Sequence, residues 1–290
     1  MRGDFLLHDI IKKIIFGKSN IIIMKHTYFL VINLVIVFLT ATSYCNAQIK
    51  ETEAIEILQK IDNAVSNIST VVYKMDRKNK YFSKRDTIQE TAICSLLIAP
   101  KDKFKAYNIL DIEYKGAEGH TYGHRKYDGK KALWVTYFNL DSLNTGMPPD
   151  IYTKKREVRA IVQNYSNMLL QEYFSEKKPF MRYKASAGMI KIEEEVLNDE
   201  PVYILEIHYQ DTEDYRDAVV KHYIRKSDYL PVAYYSTMKF ENMEQYIYYE
   251  VEYLALNPDI PEEAFTVRDN ENINAEERFK EFQRKATAVE

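Results

Sequence analysis

Cysteine, glycine, proline and tryptophan are all scarce in this chain, and each scarcity closes off a class of protein. Two cysteines, Cys45 and Cys94, cannot build a multi-bridge framework or a Cys-x-x-Cys redox pair. Eight glycines and eight prolines in 290 residues leave no material for a collagen-like repeat or a long flexible linker. A formal net charge of −3 supplies no basic field for nucleic acid. Catalytic signatures are missing as well. No Gly-x-Ser-x-Gly or His-Glu-x-x-His occurs, so an enzyme is disfavoured and no cofactor is expected.

Tyrosine is what the chain has in excess, with 24 copies. Tyrosine suits half-buried strand positions, apolar in the body and wet at the tip. The stretch Met189–Leu256 uses it that way. In Gln245–Leu254, Ile247, Tyr249, Val251 and Tyr253 fall on one face and Tyr246, Tyr248, Glu250 and Glu252 on the other. Val202–Gln210 repeats the alternation, with Tyr203, Leu205, Ile207 and Tyr209 opposite Glu206, His208 and Gln210. Successive strand side chains point to opposite faces, so these are strands of a two-faced antiparallel sheet.

From Met24 the chain reads as a secretory signal peptide: Lys25, then an apolar core from Tyr28 to Leu39, then small residues up to Ala47. The core is short for a membrane span, which needs about 20 apolar residues. The expected order is residues 1–23 ahead of the true start, 24–47 as signal, 48–267 as one folded domain, and 268–290 as a polar, partly helical tail. The mature protein is then exported to the periplasm of a Gram-negative-type envelope and keeps no transmembrane span. Lipidation at Cys45 is the less favoured alternative, because Tyr44 replaces the small residue expected before it. After cleavage only Cys94 remains, in the apolar run Ile93–Ile98, and it reads as a small buried hydrophobe.

Glu53–Ile68 carries Ile55, Leu58, Ile61, Val65 and Ile68 at helical spacing, and Lys154–Phe174 does the same with Val158, Ile161, Val162, Tyr165, Met168, Leu169 and Tyr173. Strands are predicted at Val71–Tyr81, Thr87–Ala99, Phe104–Leu110 and Leu133–Phe138, with a hairpin turn at Tyr127-Asp128-Gly129-Lys130. Five more follow after Met189. His120 and His124 stand four apart, but Gly119 and Gly123 argue against a helix, so the segment reads as a polar loop and not a metal site. Gly123–Lys131 has the wrong spacing for a phosphate loop. His208 and His222, on strands that could bring them together, read as structural.

Two amphipathic helices must bury their stripes, and the concave side of a curved sheet offers the place. Whether that interior is packed or hollow depends on curvature and strand number. A hollow one would hold an apolar ligand.

The order of elements and several local phrases resemble the LolA-like periplasmic carriers of the outer-membrane lipoprotein-sorting superfamily. These are Tyr127-Asp128-Gly129 leading to Trp134, Tyr203-x-Leu205, Tyr223-Ile224 with Tyr229-Leu230-Pro231, Tyr248 to Leu254, and Pro258-Asp259-Ile260-Pro261 before Phe265. The resemblance implies an α+β fold, a strongly curved antiparallel half-barrel whose concave face is covered by amphipathic helices. It also implies a non-enzymatic carrier or binder of a lipid, a lipoprotein acyl chain or another apolar ligand. Tyr73, Phe104, Trp134, Tyr137, Leu205, Tyr223 and Tyr248 are the expected cavity lining. For the family's arginine that bridges sheet and helices, Lys74 and Arg77 are the rough candidates. The alternative is an accessory interaction domain that docks an envelope redox (thioredoxin-like) or signalling protein.

Overall fold

The first and last strands of the sheet are neighbours. The computed structural model describes residues 51–82, 86–116, 119–145, 147–174 and 178–287. The expected signal peptide and Cys45 lie outside the described residues. Strands β1 (Thr70–Lys80), β2 (Ile88–Ile98), β3 (Ala106–Gly116), β4 (Gly119–Tyr127), β5 (Ala132–Tyr137) and β6 (Asp150–Tyr152) form one antiparallel meander. Strands β7 (Lys191–Leu197), β8 (Glu200–His208), β9 (Tyr215–Arg225), β10 (Pro231–Phe240) and β11 (Met243–Leu256) form a second. Pairing of β1 with β11 joins the two into one sheet, ordered β6-β5-β4-β3-β2-β1-β11-β10-β9-β8-β7. The sheet is strongly curved and unclosed, a half-barrel with β6 and β7 at its edges. Register shifts at Val72/Tyr73 and twice between β9 and β10 add local bending, as bulges do.

Turn chemistry sets the register where hairpins are tight. Leu197 pairs with Glu200 across Asn198 and Asp199, both with positive φ, the two-residue turn whose twist matches the strands. Gly129 does the same duty after β4 with φ of 89°.

Helix α1 (51–66) and helix α2 (Lys155–Tyr165) cover the concave face. Leu58, Ile61 and Val65 of α1 and Val158 and Val162 of α2 meet Val71, Tyr73, Met75, Cys94, Leu96, Leu110 and Leu205 of the sheet in one continuous core. The second helix is shorter than its stripe predicts. It gives way to a 3₁₀ turn (Ser166–Met168), passes Leu170 at φ of 48°, and resumes as the single turn α3 (Gln171–Phe174). The break turns Tyr173 and Phe174 into the core.

Tyrosine hydroxyls tie the covering helices to the sheet. Tyr73 donates to the carbonyl of Met168, Tyr249 donates to Glu172, and Tyr173 meets His222 Nδ1 at 3.3 Å. Asp62 on α1 accepts from the amides of Phe180 and Met181 at 2.8 and 2.9 Å, capping the 3₁₀ segment Met181–Met189 from across the core. Neither Lys74 nor Arg77 bridges to the helices: Lys74 pairs with Asp76, and Arg77 with Glu90 at 3.1 Å.

The opposite face is covered too. Helix α4 (Ala275–Thr287) lays Phe279 and Phe282 on Tyr122, with ring centroids 4.9 and 5.8 Å apart, among Ile93, Val135 and Tyr137. A smaller apolar group, Val202, Ile204 and Val232, occupies that face near the other edge.

One expectation is corrected here. The segment around His120 and His124 is a strand, β4, and its second half is buried between β3 and β5. His120 pairs with Glu113 at 2.6 Å, while His124 lies with Asp111. His208 and His222 do not meet, because His222 faces the helices and His208 points to the other side with Glu206.

Candidate ligand-binding site

The seven residues expected to line a cavity separate into four surroundings. Tyr73 and Leu205 lie beneath the helices, but in a space filled by side chains, with Leu58, Ile61, Met75, Leu96 and Leu110 all buried around them. Trp134 faces the same side, past the end of α2, against Arg125 and Tyr165. Phe104 is buried at the rim of that same core, beside the start of α2. Tyr137, Tyr223 and Tyr248 face away from the covering helices, toward α4, the Val202 group and Glu250 respectively. Alternation explains the last three. Trp134 and Tyr137 are three residues apart on one strand, so they cannot share a face.

An opening lies beside the first turns of α2. It is a groove of about 670 Å³ with an apolar floor of Phe104, Tyr127 and Val158. Around it stand Lys103, Lys130, Lys155, Arg156 and Arg159. None of these five has a carboxylate partner among the described residues. Desolvation, with repulsion from Arg159 and Lys155, holds the Lys103 amine below its ordinary value. Asp102 is the one acid in the wall, and it is already engaged by the Phe104 amide at 2.8 Å and the Tyr127 hydroxyl at 2.9 Å.

This arrangement runs against local helix stability. The first turn of a helix favours acids, because its free amides carry partial positive charge. Here Lys155 and Arg156 share that turn with Glu157, and Lys154 gives it no side-chain cap, its amine donating instead to Glu157 at 3.2 Å. Five cations and an apolar floor therefore meet at one groove of a size usual for ligand sites. Residue spacing pointed to the apolar stripe of α2 and missed its opposite side. The local signal was the run Lys154-Lys155-Arg156 placed where acids belong.

Neither a protein-family model nor a curated protein matches the chain. Among solved structures it is similar to LprF from Mycobacterium bovis, at 9% identity over 73% of this chain and 97% of that one, with a TM-score of 0.41. It is similar to MucB at 10% identity over 77% and 65%, with a TM-score of 0.38. A LolA superfamily protein from Nitrosomonas europaea matches at 11% identity over 74% and 97%, with a TM-score of 0.24.

Proposed function

We propose that this chain is a non-catalytic binding protein of the cell envelope that takes an anionic amphiphile in the α2 groove. The observation that carries the reading is the pairing of an apolar floor with five cations that have no carboxylate partner among the described residues. An acidic head would rest against Lys155, Arg156 and Arg159, and the apolar portion would cover Phe104, Tyr127 and Val158. The site differs from the lumen expected at first, since packed side chains occupy the space beneath the helices. The signal peptide expected at 24–47 supports export to the periplasm. Docking through a sheet edge has less support, because edge strand β7 exposes Glu194 and Glu195, and charge on an edge discourages strand addition.

The test is titration of the mature protein with a fluorescent fatty acid and with its uncharged alcohol analogue. The acid should bind saturably and the alcohol more weakly. Reversing Lys155→Glu and Arg159→Glu together should weaken the acid on the order of tenfold or more. Equal binding of the alcohol, or no effect of the reversal, sinks the reading.

A further inference from the structure

Beyond the end of α2 the concave face of β1–β5 is left partly uncovered, and a small cavity of about 190 Å³ opens there. Arg125 of β4 forms part of its wall, and its residue is only 5% exposed. The guanidinium is held between two flat surfaces. Its carbon lies 3.3 Å from the centroid of the Trp134 ring. On the other side is Gly123, where a Cβ would come within 2.6 Å of the guanidinium nitrogen Nη1. Glycine within a strand marks such a close approach, and here the approaching group is a cation.

Neutral groups satisfy part of this cation. Nη1 donates to the carbonyls of His124 (2.9 Å) and Val135, and Nη2 donates to Thr136 Oγ1 at 2.7 Å. The Nε–H has no partner among the described residues. Among the described residues no carboxylate comes within ion-pair distance. Glu90, the one acid in the cavity wall, is taken by Arg77 at 3.1 Å and Asn79 at 3.3 Å. Burial pulls the Arg125 guanidinium down to about 9, so it is still charged at neutral pH. A buried charge with no counter-ion is a costly thing for a fold to keep. Nε of Arg77, another wall residue, is likewise buried and without a partner among the described residues.

We propose that this cavity binds a small carboxylate monoanion, a short-chain organic acid, held by Arg125 against Trp134. One uncompensated positive charge matches one negative charge, and Glu90 opposes a second, which disfavours phosphate and sulfate. The volume is that of roughly six waters, enough for a carboxylate with a short tail. Ile112, Met168 and the Trp134 ring supply apolar contact for that tail. The site is separate from the α2 groove, and either can fail without the other.

Trp134 is the only tryptophan in the chain, so its fluorescence reports on this site. The mature protein is titrated with acetate and propionate at constant ionic strength, with chloride, sulfate and phosphate in parallel. Tm is measured for the same series. The carboxylates should give a saturable fluorescence change and a rise in Tm, and the other anions should give neither. Arg125→Lys keeps the charge but loses the fork, and should weaken binding on the order of tenfold. Gly123→Ala, which pushes the guanidinium from its slot, should abolish it. Arg125→Met should fold with an unchanged or higher Tm and no longer respond to carboxylate. Absence of any saturable response in the natural protein overturns the proposal. So does an equal response to sulfate or phosphate, or an undiminished response in Arg125→Met. If that variant does not fold, the Arg125→Lys titration decides in the same way.

Discussion

Arg278, on the last helix, grips both oxygens of Asp111 in the middle of β3, with Nε 2.8 Å from one and Nη2 2.8 Å from the other. Tyr122 donates to the same carboxylate at 2.7 Å, and His124 Nδ1 stands 3.0 Å from it. Arg278 Nε also stands 2.8 Å from His124 Nδ1, so the three side chains meet at one point. Burial alone would raise the Asp111 carboxyl. The His124 hydrogen bond and the charges facing Asp111, Arg278 among them, outweigh burial and hold it at about 2.

Arg278→Ala should therefore cost about 2–3 kcal/mol, because it strands a mostly buried carboxylate and releases α4 from the sheet. Urea unfolding measures it. The folded pKa lies below the unfolded one, so the Asp111 contribution is present above pH 4 and is lost as pH falls toward 2. In the variant that part of the acid profile should flatten. An unchanged profile would show that Arg278 does not hold the carboxylate.

His222 sits among Tyr173, Phe180, Tyr183 and Tyr234. Burial, then repulsion from Arg182, pulls its imidazole down to about 3. The unfolded chain binds a proton here from about pH 6.5 downward and the folded chain does not. Stability should thus be full above pH 6.5 and fall by about 1.4 kcal/mol per pH unit toward pH 3 from this residue. His222→Phe keeps the aromatic packing and should make the slope shallower by that amount, read from ΔG of unfolding at several pH values.

Cys94 is fully buried on β2, and burial pushes its thiol up to about 12. A thiol reagent at pH 8 should leave the native protein untouched and label it fully in denaturant. Native-state labelling faster than global unfolding would place the residue nearer the surface than β2 allows.

Tyr73→Phe leaves the carbonyl of Met168 without its donor while filling the same volume. The cost should be about 1 kcal/mol. Amide exchange should quicken in the segment 166–174 while β2 and β3 keep their protection. Uniform quickening would mean that this hydroxyl does not fasten the helices.

Strand alternation and helical stripes made the architecture legible, because Tyr203, Leu205 and Ile207, or Leu58 and Ile61, have one environment to satisfy. The hairpin turns were legible for the same reason, since Asn198-Asp199 and Asp128-Gly129 tolerate the φ the turn imposes. β4 was not. Glycine and histidine argue for a loop when read locally, and only the partners β3, β5 and α4 explain why Gly123 and His124 belong in a strand. Size alone cannot tell which face a tyrosine takes, which is why Tyr137, Tyr223 and Tyr248 were placed on the wrong side. The groove cations were hidden because charged residues on a helix look like a solvated face until Phe104, from the turn before β3, and Tyr127, from the end of β4, arrive beneath them. The packed interior was left open by composition, and long tyrosines with hydroxyls anchored on the helices are what fill it.

Ser69 and Asn257, bonded at 2.7 Å where β1 meets the end of β11, are 188 residues apart. Each half-sheet can zip up from local hairpins, but the seam between them must wait until the whole chain has emerged. Until then β1 carries an open row of amides and carbonyls with no partner strand. A chain wired in this way stays slack while it is being made and locks only when its final strand comes home to its first.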